Sequence, residues 1–144
     1  APHWNAEIRA AFYGITRDST KIDMVTAAFK SLIYQVMDIK EALSVDGVEI
    51  KNLSIDGGMA ANSRFCQLLA DFLDQEVQVP ASLESTAVGA AITAGIGAGY
   101  FSIEDLLTKQ SSNATIYKPR PKVFDTKDLI EWRKFLRVLL DAYN

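Results

Sequence analysis

Cysteine and histidine are nearly missing from this sequence of 144 residues, which holds one of each. A single cysteine cannot close an internal disulfide or supply a Cys-based zinc cluster, and this usage favours a reducing compartment. A single histidine excludes a two-His metal site and a His-based acid/base relay. Basic residues are also too few for a nucleic-acid binder. Fifteen Lys and Arg stand against 18 Asp and Glu, a formal net charge of -3, so no phosphate-tracking surface is expected. Long apolar runs are absent as well. From Ser85 to Phe101 no residue carries a formal charge, yet Ala, Gly, Thr and Ser dominate. That stretch falls short of the roughly 20 strongly apolar residues a bilayer requires, and a helix packed tightly inside a protein is expected there instead. The chain opens Ala-Pro-His-Trp, with neither an initiator Met nor a signal-like apolar core. It reads as a cytoplasmic fragment, the C-terminal half of something longer.

What is present suits one folded α/β unit, at 49% apolar and 23% charged residues. Ala10 to Thr16 read as a short strand ending at a turn. The segment Thr20 to Leu43 is a helix, with Ile22, Val25, Phe29, Leu32, Val36 and Leu43 largely on one face and Ile33 and Met37 widening the stripe. Ser19 or Thr20 caps its start, and Asp46-Gly47 ends it. Ile50 to Ile55 alternates as a strand and stops at Asp56-Gly57-Gly58. A second helix is expected from about Ala61 to Leu73, then a short strand from Val77 to Val79 closed by Pro80. A third helix, Ser85 to Ala98, carries small residues four apart at Ala87, Ala91, Gly95 and Gly99, a spacing that allows close approach of another backbone. A helical turn through Ile103, Leu106 and Leu107 follows. Lys109 to Lys122 reads as a loop with an extended segment at Thr115 to Lys118. A last helix begins near Asp125 or Thr126 and presents Leu129, Trp132, Leu136, Leu139 and Tyr143. The order strand, Gly-Gly, helix, strand, helix suits a mostly parallel sheet flanked by helices. Ligands in such sheets sit beyond the carboxyl ends of the strands.

That rule directs attention to Asp56-Gly57-Gly58. Missing side chains at a strand end let a ring or a phosphate approach the backbone, and the helix start behind them offers free N–H groups. Asn62, in the first turn of that helix, has an amide able to bond a ribose or a base. The bland alternative is a tight turn with Asn62 as its cap. The pair lacks the third glycine of the dinucleotide fingerprint and the Lys-Ser/Thr of a P-loop. Other candidates are ordinary: His3 beside Trp4 is a surface or packing residue, Cys66 a helix-packing residue, and Arg17, Asp18 and Lys21 a solvated turn. Asp56 alone gives no ligand count for magnesium, and Trp132-Arg133-Lys134 reads as the outer side of a packed helix. No general base pairs with a second carboxylate, so no catalytic residue and no metal ligand is assigned.

Taken together, several motifs resemble the C-terminal region of glycerol kinases, members of the FGGY carbohydrate kinases in the actin, hexokinase and heat-shock ATPase superfamily. They are Ala1-Pro2-His3-Trp4-Asn5, Gly14-Ile15-Thr16-Arg17, Tyr34-Gln35-Val36-Met37-Asp38, Asp56-Gly57-Gly58-Met59-Ala60-Ala61-Asn62 and Glu84-Ser85-Thr86-Ala87-Val88-Gly89-Ala90-Ala91. The resemblance runs from Ala1 to about Leu106 and weakly through the last helix. His3 stands where the family has Tyr, and Lys30 where its signature has an acidic or amide residue.

The resemblance implies a ribonuclease-H-like, actin-like ATPase domain over residues 1–144, the nucleotide-binding half, with residues 123–144 as a terminal helix packed on it. It implies ATP and magnesium as cofactors, with Gly58 and Asn62 on the adenosine part and Gly57 and Met59 shaping the turn. The Ala/Gly helix would be one of two helices crossing where the domains hinge. Glycerol or a similar polyol would bind the missing N-terminal substrate domain, which also carries the catalytic base, so this chain alone would be silent. The family often forms dimers or tetramers, and neither nucleic acid nor a membrane is an expected partner. Another FGGY sugar kinase, or a degenerate nucleotide-binding module, is the alternative.

Overall fold

The computed structural model describes residues 2–82, 84–104, 113–121 and 126–143. They fall into two units, residues 1–51 with 122–144, and residues 52–121.

In the first unit, helix α1 spans Lys21–Val45. Thr20 caps it in a capping box: its hydroxyl accepts from the Asp23 N–H, and the Thr20 N–H donates to Asp23 Oδ2 at 2.8 Å. The Thr20 hydroxyl also donates to Asp23 Oδ2 at 2.7 Å, and this bond foremost, with that of the Thr20 N–H, holds the Asp23 carboxyl below its ordinary range. At the other end Gly47 turns left-handed, φ +78°, while its N–H donates to Ser44 O and that of Val48 to Leu43 O. That pattern is a Schellman stop, and glycine is the residue that adopts it without strain. The expected cap and the expected stop are both found.

The last helix, α4, spans Thr126–Ala142. It meets α1 through Tyr34 and Trp132, whose ring centroids are 5.5 Å apart, and through three ion pairs. Lys30 Nζ lies 2.6 Å from Asp128 Oδ2. Arg133 Nη2 lies 2.7 Å from Asp38 Oδ1 and also reaches Glu41. Trp132 and Arg133 therefore face α1 instead of forming an outer side, and only Lys134 is exposed. Ile33, Tyr34 and Leu129 are buried. Burial, with the Asp128 charge second, pushes the Tyr34 phenol up to about 12.

Ile22, Val25 and Leu32, expected on the packed stripe of α1, are exposed at 76%, 50% and 40%. The stripe is wider than α4 and the preceding segment can cover. Ala10 to Thr16 carry no strand: a strand exists only through a ladder partner, and none is found among the described residues of this unit. The turn expected after them is present, with the Ser19 N–H donating to Thr16 O and the Thr16 N–H to Ser19 Oγ.

The second unit is a small α/β sandwich. Strand β1 (Leu53–Ser54) leads through a 3₁₀ turn (Gly58–Ala61) and helix α2 (Ser63–Leu73) to strand β2 (Val77–Pro80). The two strands are parallel, Leu53 opposite Val77. Strand β3 (Ala114–Tyr117), the extended segment expected near Thr115, joins the free edge of β2 antiparallel, Val77 opposite Tyr117 and Pro80 opposite Ala114. The described sheet is thus mixed, where a mostly parallel one is expected, because β3 returns along β2 without a crossover.

Helix α2 buries Phe65, Cys66, Leu69, Ala70 and Leu73 against the sheet, where Val77 and Val79 point inward. Each such large apolar side chain is worth about 1.5–3 kcal/mol relative to exposure. Asp71 ties the polypeptide after β3 to α2, accepting from the Arg120 backbone N–H at 2.9 Å and from Arg120 Nη2 at 2.6 Å. Gln67 donates to the same carboxylate and to Lys118 O.

Helix α3 spans Ser85–Gly97, as expected, and buries no residue against the described residues. Low charge predicts burial only where a neighbouring element exists to supply it. One of its small residues does have a local reason. A Cβ on Gly95 would lie 2.3 Å from the ring of Phe101, which folds back after the left-handed Gly99. Ile103 and Glu104 are helical, whereas Leu106 and Leu107 of the expected turn, and Asp125 as a helix start, lie outside the described residues.

Candidate functional site

Four sequence-derived residues, Gly57, Gly58, Met59 and Asn62, fall on one short path from the carboxyl end of β1 to the start of α2. They are brought together because β1 ends after Ser54 and the chain must reverse into α2 within a few residues. Gly57 does this with φ +82° and ψ -177°, a region open essentially to glycine alone. The 3₁₀ turn then closes through Ala60 N–H to Gly57 O at 3.0 Å and Asn62 N–H to Met59 O at 3.1 Å.

The two glycines differ in kind. A Cβ on either would meet nothing within 4 Å. Gly57 needs glycine for its backbone angle. Gly58 has no positive φ and faces open space, so the fold itself gives no reason for a missing side chain there. Its glycine leaves the backbone accessible.

Asn62 is the N-cap of α2, and its Oδ1 accepts from the N–H groups of Arg64 and Phe65 at 3.1 and 3.2 Å. The cap reading of Asn62 is therefore found. Capping commits the carbonyl oxygen and leaves Nδ2, a donor, for anything bound above the turn. The helix start is at Ser63 and not Ala61 because this cap and the 3₁₀ turn occupy the intervening positions. Met59 is 41% exposed on the same turn, while Ala60 is buried beneath it. The signal for Ala60 and Cys66 as supports of the turn was absent from the motif, since neither side chain faces outward.

Of the other candidates, Asp56, Arg17, Asp18 and Lys21 are exposed, as a solvated turn would be, and the rest have structural partners or are buried. His3 Nε2 is 3.6 Å from Asp38 Oδ2. Lys30, out of step with the family signature, is accounted for by its pairing with Asp128. Cys66 is fully buried, and burial pushes its thiol up. A cleft of about 920 Å³ lies in the first unit, walled by Tyr13, Tyr34, Trp132 and Phe135 among others. None of Gly57, Gly58, Met59 and Asn62 lines it, and its Lys30, Asp128 and Asp23 already have protein partners. Among the described residues no group of three His, Cys, Asp or Glu side chains is arranged to hold a metal ion, and no helix is long and apolar enough to cross a membrane.

Comparison with known proteins agrees with the motifs. The model of the FGGY family of carbohydrate kinases, C-terminal domain, matches residues 1–98. A glycerol kinase of Enterococcus casseliflavus is 37% identical over 136 residues, which cover 93% of this chain and 27% of that protein. One from Brevibacillus brevis is 41% identical over 112 residues, 76% of this chain and 22% of that protein. The solved structure of Plasmodium falciparum glycerol kinase with ADP is 25% identical and superposes with a TM-score of 0.65, covering 99% of this chain and 28% of that one. A xylulose kinase from Lactobacillus acidophilus, at 23% identity, TM-score 0.67 and coverage of 99% and 27%, shares the fold. The chain spans about a quarter of the length of the relatives it matches. With the strand-end turn, the motif order and the family match in register, the chain belongs to the C-terminal domain of the FGGY family of carbohydrate kinases.

Proposed function

We propose that this chain is the nucleotide-binding part of an ATP-dependent glycerol kinase, and that the turn Gly57–Asn62 receives the adenosine end of ATP. The carrying observation is the open backbone at Gly58 beside the uncommitted donor face of Asn62. A flat ring can lie on a backbone without a Cβ, and Nδ2 can donate to a ribose hydroxyl or a ring nitrogen. Met59, exposed on the same turn, supplies apolar contact, and Gly57 fixes the turn's direction. A related glycerol kinase structure holds ADP, which supports the reading.

In this reading magnesium arrives with the nucleotide, and the whole enzyme moves the γ-phosphoryl group of ATP to a hydroxyl of glycerol. This chain's share is to hold and orient the nucleotide; most of phosphoryl-transfer catalysis is such positioning. The polyol and the base that orients its hydroxyl belong to the part of the kinase beyond residues 1–144, residues 123–144 complete the domain, and the enzyme works in the cytoplasm as an oligomer. Glycerol is preferred over a sugar as substrate because the relatives at 35–41% identity are glycerol kinases.

The test uses Asn62→Asp in a kinase carrying this domain. Asp caps a helix as well as Asn does, so the fold stays, but it presents no donor to the nucleotide. The KM for ATP should rise about tenfold or more, as expected when a ligand hydrogen bond is replaced by an acceptor facing an acceptor. The KM for glycerol and the melting temperature should stay put. An unchanged KM for ATP would refute the assignment.

A further inference from the structure

We propose that Cys66 is a positioning residue for the nucleotide turn, its thiol holding the carbonyl that sets where Gly58 and Met59 point. The inference rests on the nucleotide reading above and adds to it a residue that touches no ligand.

Cys66 sits in the first turn of α2, fully buried, and is tied twice to the segment before it. Its backbone N–H donates to Asn62 O at 3.1 Å. Its Sγ donates to Ala60 O at 3.3 Å, an ordinary length for a thiol donor. Ala60 is itself only 4% exposed. The carbonyl is therefore shielded from water, and without the thiol this contact is lost at a place where a buried acceptor is costly to abandon.

Ala60 is the inward-facing residue of the 3₁₀ turn, packed with Cys66 and Val79 and flanked by Ile55 and Tyr117. Ile55 follows β1 and continues its pairing by donating to Gln78 O. The thiol thus links the floor of the turn to α2 and, through the packed cluster, to the sheet. Burial keeps the sulfur protonated and hence a donor. A side chain of the same size without a donor would fill the space and leave the carbonyl unheld.

The experiment compares Cys66→Val and Cys66→Ser in the 144-residue chain, with Mg-ADP as the probe and amide hydrogen exchange measured without it. Val removes the donor and fills the site with about one extra methyl group; Ser keeps a donor and loses packing. Cys66→Val should weaken Mg-ADP binding about tenfold and speed exchange at Ala60 and Asn62, whose N–H groups close the turn, while Leu69 and Ala70 in mid-helix are unchanged. Cys66→Ser should bind within about threefold of the parent, even where its melting temperature falls.

The proposal is overturned if Cys66→Val binds like the parent with unaltered exchange at Ala60 and Asn62, or if Ser loses as much affinity as Val. Should Mg-ADP fail to bind the parent chain, the nucleotide reading falls, and the exchange contrast still decides whether the thiol holds the turn.

Discussion

The sharpest consequence of the geometry is that Gly57 and Gly58, adjacent and chemically identical, should respond in opposite ways to the same change. At Gly57, φ +82° with ψ -177° is a conformation that an L side chain adopts only with strain. No neighbour stands within 4 Å of the Cβ position, so the cost of Gly57→Ala is conformational and not a clash. Such backbone strain costs about 1–3 kcal/mol. For a chain of this length that corresponds to a drop in melting temperature of roughly 3–10 °C. At Gly58 the backbone angle is ordinary and the space is open. Gly58→Ala should stay within about 0.5 kcal/mol of the parent.

Affinity should then separate from stability. The Gly58 methyl enters the space a bound nucleotide would use, so Mg-ADP binding should weaken about tenfold or more in a protein that melts normally. Urea denaturation gives the first comparison and calorimetric titration with Mg-ADP the second. Equal stability of the two variants would refute the backbone argument. Unchanged affinity in Gly58→Ala would refute the reason given for that glycine.

Other expectations follow from single residues. Burial alone would raise the Asp71 carboxyl, but the donors from Arg120 and Gln67 outweigh it and hold the group below the usual range. A depressed carboxylate contributes stability above its unfolded value and loses it as pH falls through the folded one. The urea midpoint should therefore fall on acidification below about pH 4, and less steeply in Asp71→Asn; equal slopes would show the latch to be inert. Asp74 ends α2 in the left-handed region with φ +48°. Asp74→Gly should gain a few tenths to about 1 kcal/mol, the relief of left-handed strain less glycine's entropy, read as a raised melting temperature.

The sequence carried local information well and tertiary information poorly, for reasons visible at particular residues. Thr20, Asp46-Gly47 and the Gly57-Gly58 pair were legible because caps, stops and positive-φ turns are decided by the chemistry of a few neighbours. The α2 stripe was legible because the sheet that buries it lies in the same unit. Ala10 to Thr16 were misread as a strand because strand character depends on a partner that no local pattern specifies. Helix α3 was legible as a helix, but an uncharged sequence says what a helix tolerates and not what covers it. Within the candidate site the outward-facing residues could be read from the motif. The free donor of Asn62 could not, since only the structure shows which of its amide atoms is committed to the cap. Cys66 and Ala60 gave no signal, because a thiol under a turn looks like any other packing residue.

The most direct test of the central claim is a backbone NMR titration of the chain with Mg-ADP. The account predicts saturable shifts at Gly57, Gly58, Met59 and Asn62 and in the first turn of α2, with residues lining the cleft near Tyr13 and Trp132 unmoved. Shifts centred on that cleft, or none at all at millimolar ADP, would contradict it.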